Sequence, residues 1–221
     1  MELLEAIERR HSVRQYLARP LEADLKNRLD EMIDECNDLS GLHIQPVYDE
    51  PTAFRSPMAR YGRFEQVSNY IVLAGERAED LDERCGYWGE RIVLQAQQMG
   101  LNTCWVGMSY AKRAVPVEVA AGEKIVAVIA LGYGRTQGVA HKSRPIEKIA
   151  DIGGDRPEWF RRGVEAALLA PTAMNQQKFR FEYSAEGVRA TTRWGFYSKV
   201  DLGIAKYHFE IGAAPHPVRW L

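Results

Sequence analysis

Lys124-Ile125-Val126-Ala127-Val128-Ile129-Ala130-Leu131-Gly132-Tyr133 is the clearest strand in the chain. It is apolar and β-branched and closes on Gly132-Tyr133, which is the pattern of a central strand. Working outward, Asn69–Ala74 (NYIVLA) repeats that character, and Asn102–Val106 (NTCWV) gives a third candidate. Between them, residues 88–99 (WGERIVLQAQQM) read as a helix apolar on most of its faces, and hence buried on several sides. Gly100 followed by Leu101 fits a left-handed cap with its hydrophobic contact.

Residues 3–10 predict a short helix with Arg9 and Arg10 at its negative dipole end. A second helix runs from about Leu21 to Cys36, where Leu25, Leu29, Met32 and Ile33 give an apolar stripe. Residues 40–66, with three prolines and two glycines, read as an exposed crossing or flap. Beyond the polar stretch 134–145, Pro157 opens a helix through Ala170. Residues 179–183 and 188–192 form a hairpin, and a last helix spans 201–213. The expected class is α+β, a mainly antiparallel sheet flanked by helices.

The balance of 29 Lys+Arg against 30 Asp+Glu, with no basic run, argues against nucleic-acid binding. The N-terminus mixes acids with apolar residues and is no signal peptide, and no stretch is long enough to span a bilayer. Cys36, Cys85 and Cys104 match neither a disulfide framework nor a zinc pattern. A cytoplasmic protein without membrane or nucleic-acid partners is expected.

Two segments echo one another. Met32–Val47 and Val164–Phe179 both read as a helix followed by a hydroxyl residue, a small, an apolar, a polar and any residue, and then glutamine. Residues 92–100 are similarly echoed by 204–212. Their shared order predicts a duplication, with a first half at 1–150 and a truncated second half at 151–221.

Four clusters could carry chemistry. Arg10, His11, Ser12 and Arg14 offer many donors to a phosphate, or form a solvated basic helix end. Lys142 and Arg144 form a second cationic cluster after the best strand, or a charged surface loop. Pro171, Thr172, Ala173 and Asn175 could hydrogen-bond a ring edge, or simply cap and turn. Trp105, Val106 and Gly107 leave a strand with backbone N–H groups able to face a planar ligand. No Ser-His-Asp, metal or general-base set stands out.

IERRHSVRQY (7–16), GERIVLQAQQMGLNTCWVG (89–107), VIALGYGRTQGVAHKSRP (128–145) and ALLAPTAMNQQKFRF (167–181) resemble, in these relative positions, motifs of the FMN-dependent nitroreductase family. More narrowly, the chain resembles the branch in which one polypeptide mimics the family's intertwined dimer. In ordinary members the proline-hydroxyl-asparagine segment closely follows the N-terminal motif; here it sits at 170–177, and residues 38–43 hold a degraded version.

The resemblance implies bound FMN. Arg10, His11, Ser12, Arg14, Lys142 and Arg144 would hold its phosphate and ribityl side. Pro171, Thr172, Ala173 and Asn175 would line the ring from the second half. Trp105, Val106 and Gly107 would face the N5 edge, with Arg63, and more weakly Arg60, at the pyrimidine edge. It further implies ping-pong oxidoreduction, with NADH or NADPH as hydride donor and a nitroaromatic or quinone as acceptor. Alternatives are a flavin-binding or storage protein without turnover, a dehalogenating, desaturating or flavin-fragmenting relative, and a scaffold without cofactor. A monomeric pseudo-dimer is expected, with further dimerisation open.

Overall fold

The computed structural model describes all 221 residues. The elements in chain order are α1 (Leu3–Arg9), α2 (Ala23–Ser40), β1 (Gln45–Val47), α3 (Pro57–Tyr61), β2 (Asn69–Glu76), α4 (Leu81–Gln98), β3 (Asn102–Val106), β4 (Glu123–Gly132), α5 (Glu158–Ala167), β5 (Phe179–Ser184), β6 (Gly187–Thr192) and α6 (Ser198–Ala213). The main sheet runs β1-β2-β4-β3 and is antiparallel throughout; β5 and β6 make a separate hairpin. The expected α+β class with an antiparallel sheet and flanking helices is what the molecule has.

β2 and β4 are apolar at nearly every position because both faces of the sheet are covered. Ile71, Leu73, Ile129 and Leu131 point into the larger core with α2, α4, α5 and α6. Tyr70, Val72, Val128 and Ala130 point the other way, into a second core. That second core corrects the reading of residues 40–66 as an exposed flap. Ala53, Phe54, Ala59, Phe64 and Val67 from this stretch are buried against the sheet. The Phe54 ring meets those of Phe64 and Tyr70 at 5.3 and 5.4 Å. A short helix, α3, forms there because Ser56 accepts the Ala59 N–H and Pro57 takes the first helical position.

Two helices start earlier than their sequences suggest. α4 begins at Leu81, seven residues before the expected start, despite Gly86 and Gly89. Those glycines normally weaken a helix by about 1 kcal/mol each, but here close packing demands them. A Cβ on Gly86 would overlap the Val200 carbonyl of α6, and one on Gly89 would come within 2.5 Å of the Trp105 indole. α6 begins at Ser198, with Tyr197 as its left-handed N-cap. α2 runs on to Ser40 and ends on Gly41 at φ 66°, and Gly100 takes the expected left-handed cap at φ 82°. All three cysteines are buried and free. No helix is long and apolar enough to cross a membrane.

Candidate functional site

The N-terminal motif is laid across the ends of two strands. Val13 N–H donates to the Thr103 carbonyl at 3.0 Å and Leu17 N–H to that of Tyr133 at 2.7 Å. Asn102 ties the same corner, its Oδ1 accepting the Gly134 N–H at 3.0 Å. The late cationic segment is docked onto the 172–177 loop by one buried amide. Gln177 Oε1 accepts the Arg144 N–H at 2.8 Å, and its Nε2 donates to the Lys142 carbonyl at 2.9 Å. Asn175 donates to the same carbonyl at 3.0 Å. Distant motifs are therefore joined by hydrogen bonds to backbone groups, several of them from side-chain amides, rather than by their charges.

These joins frame a cavity of about 520 Å³, within the range of small-molecule sites. Of the residues singled out above, Ser12, Arg14, Arg63, Trp105, Val106, Gly107, Pro171, Thr172 and Ala173 form its wall. Arg10, His11, Lys142, Arg144, Asn175 and Arg60 do not. The side chains of Lys142 and Arg144 are exposed beside the loop, and Asn175 faces the Lys142 carbonyl.

Arg10 takes a different position from the one the motif suggests. It is 4% exposed, with its Nε 3.7 Å from Glu90 Oε1 and without a hydrogen-bond partner. Glu90 is fully buried; its Oε2 accepts the Trp105 indole N–H at 2.8 Å, and its Oε1 lies 2.9 Å from His208 Nε2. His208 Nδ1 lies 3.2 Å from the Ala166 carbonyl, which can only accept, so Nδ1 carries a hydrogen. A proton is then shared between His208 Nε2 and Glu90 Oε1. Residues from α1's end, α4, β3 and α6 thus meet in one charged knot behind the Trp105 wall.

Comparison with known proteins fits this geometry. A family model described as "Putative TM nitroreductase" matches residues 2–213. The chain belongs to this nitroreductase family. Among solved structures, one described as a "putative nitroreductase" from Thermotoga maritima MSB8 is 25% identical, with a TM-score of 0.68 over 96% of this chain and 83% of that one. A structure described as a "putative nitroreductase in complex with FMN", from Desulfovibrio desulfuricans, shares the fold at 18% identity and a TM-score of 0.52, covering 71% and 99% of the two chains. An FMN-dependent nitroreductase from Clostridium difficile R20291 shares it at 19% identity and a TM-score of 0.50, covering 62% and 90%. No curated protein sequence matches the chain.

The nitroreductase cavity has one wall that sequence reading did not find. Tyr197, Val200, Asp201 and Ile204 line it from the first turns of α6, at the i, i+3, i+4, i+7 spacing of one helix face. That spacing was the available signal, obscured because the helix was expected to begin only at Asp201. The Tyr197 hydroxyl lies 2.9 Å from the Gly107 carbonyl and 3.0 Å from that of Val126, fixing α6 against the sheet. Gly107 leaves room for this ring: a Cβ there would meet it at 2.7 Å. Asp201 accepts the Ala173 N–H at 2.8 Å and Gln176 Nε2 at 2.6 Å, holding the loop that forms the opposite wall. Burial pushes its carboxyl up to about 6, while these two donors and Lys178 pull it down. Met174, in that loop, sits at φ 51° with its side chain 81% exposed at the cavity mouth. Tyr61 and Met108 are likewise exposed on the rim.

Proposed function

We propose that this chain is an FMN-dependent oxidoreductase that passes electrons from NADH or NADPH to a small aromatic acceptor such as a nitroaromatic or quinone. The carrying observation is the mixed make-up of one cavity. Ser12 and Arg14 supply a hydroxyl and a guanidinium at one side, the Trp105–Gly107 backbone borders another, and Pro171–Ala173 faces it from a distant part of the chain. The residues present fit a flavin mononucleotide. Arg14 and Ser12 suit the phosphate and ribityl hydroxyls, with Lys142, Arg144 and the under-bonded Arg10 guanidinium adding positive potential nearby. The Gly107 and Thr172 N–H groups, which no protein acceptor takes, suit a flat ring edge, and the apolar Val106, Val200 and Ile204 suit its faces.

When bound, FMN would supply the two-electron chemistry linking reductant to acceptor. The chain's own residues bind, orient and exclude water. The pinned Tyr197 ring and the Asp201-held loop keep the two walls apart at a fixed width. The exposed Tyr61, Met108 and Met174 offer an apolar rim for an aromatic acceptor, and one open mouth serving both partners in turn implies ping-pong kinetics.

We further read the chain as one pseudo-dimer with one site, in which residues 1–150 supply the phosphate side and residues 151–221 the facing loop. Stopped-flow bleaching of the purified flavoprotein by NADH or NADPH, followed by reoxidation with a quinone, tests the activity. Bound flavin that neither nucleotide reduces would favour a binding or storage role instead.

A further inference from the structure

Beside the cavity lies a second recess of about 470 Å³ that shares the Phe196–Tyr197 wall with it. Its floor carries two lysines. Lys112 Nζ donates to the Ile125 carbonyl at 2.8 Å, and Lys124 Nζ pairs with Asp82 at 2.7 Å. Burial first, and then the charges of Lys124 and Arg77, push the Lys112 ammonium below its usual range, so three cations are gathered against one carboxylate. Above them stands Trp194, 94% exposed. The indole stands at the edge of the recess, where its face is free to stack on a planar ligand.

This exposure does not come from a slack loop. Lys178 Nζ donates to the Trp194 carbonyl at 3.1 Å, and Gln176 Nε2 donates to that of Phe196 at 2.7 Å. Ser198 N–H bonds the Gly195 carbonyl, and a Cβ on Gly195 would come within 2.7 Å of Gln176 Oε1. Three consecutive residues are held at the backbone while the Trp194 side chain is left to solvent.

We propose that this recess is a nucleotide shelf, and that it holds the adenosine-diphosphate part of the dinucleotide reductant. This rests on the oxidoreductase reading above. Lys112 and Lys124 would meet the pyrophosphate as point charges, and the Trp194 indole would stack on the purine. Phe196 and Tyr197 line both recesses, so a ligand spanning shelf and flavin cavity would pass over these two side chains. An acceptor without a charged tail would use the cavity alone.

The test uses the holoprotein with ADP as the probe, followed by tryptophan fluorescence, alongside flavin reduction by NADH and by reduced nicotinamide mononucleotide. Because Trp194 is so exposed, Trp194→Ala does not disturb the core. ADP should quench the wild-type fluorescence and compete with NADH, and Trp194→Ala should weaken ADP about tenfold. The same variant should lower the ratio of NADH to mononucleotide rate constants about tenfold, and Lys112→Gln should lower it in the same direction. No ADP binding, an ADP affinity unchanged by Trp194→Ala, or an unchanged ratio would overturn the shelf. ADP bound through Trp194 with no flavin reduction by either nucleotide would support the shelf and remove the oxidoreductase reading.

Discussion

Gly86 and Gly203 meet reciprocally where α4 crosses α6. A Cβ on Gly86 would overlap the Val200 carbonyl, and one on Gly203 would overlap the Glu83 carbonyl. Each partner lies three residues before the opposite glycine, so the contact repeats itself under a local two-fold rotation, as an isologous subunit interface does. The two helices begin at residues 81 and 198, in the same register as the glycines. The correspondence differs by five residues from the sequence echo of 92–100 with 204–212, whose Met99-Gly100 and Ile211-Gly212 match by composition only.

The crossing leaves no room for a methyl group on either side. Gly86→Ala and Gly203→Ala should each destabilise the protein by about 2–3 kcal/mol through overpacking. For a chain of this size, that lowers Tm by about 5–10 °C. Calorimetry of either variant with an unchanged Tm would mean that the helices do not approach this closely.

Glu90 should tolerate one substitution better than another. In Glu90→Gln, the amide oxygen can still accept the Trp105 N–H and the amide N–H can donate to His208 Nε2, but the buried Arg10 guanidinium loses its charged partner, so urea unfolding should shift by about 2 kcal/mol. Glu90→Ala leaves Arg10, Trp105 and His208 without their shared partner and should cost about 3–5 kcal/mol. Equal damage from both variants would show that the ionised carboxylate, rather than a shared proton, holds the knot.

Asp201 predicts a pH-dependent term of known sign. Its carboxyl stands near 6 in the folded protein against an ordinary 3.8. Below about pH 4 both folded and unfolded forms keep the proton and the stabilisation is fully present; it is lost as pH rises through about 6. Two units correspond to about 3 kcal/mol. Asp201→Asn cannot titrate, so its stability relative to wild type should rise by about 2–3 kcal/mol between pH 4 and pH 7. The lost Gln176 hydrogen bond shifts the variant's stability at every pH alike and leaves that slope intact. Denaturant midpoints that track wild type at both pH values would rule the term out.

What the sequence disclosed depended on how local the cause was. β4 and β2 were legible because an unbroken apolar run has few readings other than a strand covered on both faces. The start of α4 was not, since Gly86 looks like a helix breaker until Val200 is packed against it. Ser12, Arg14, Trp105–Gly107 and Pro171–Ala173 were found because each sits in a compact motif and the fold brings those motifs to one cavity. Arg10 shares the motif yet turns inward, a fate decided by Glu90, eighty residues away. Tyr197 and Asp201 gain their roles only where α6 meets the sheet and the 173–176 loop.

The central claim is that one chain builds one flavin site from its own two parts, and the flavin-to-chain ratio tests it most directly. Light scattering should give the chain's mass in solution, and released flavin should be measured by absorbance against protein concentration. One FMN per chain is predicted, and it should persist in the monomer if the chain is monomeric. Two FMN per chain, or flavin lost whenever a dimer is dissociated, would contradict the fused, self-sufficient site.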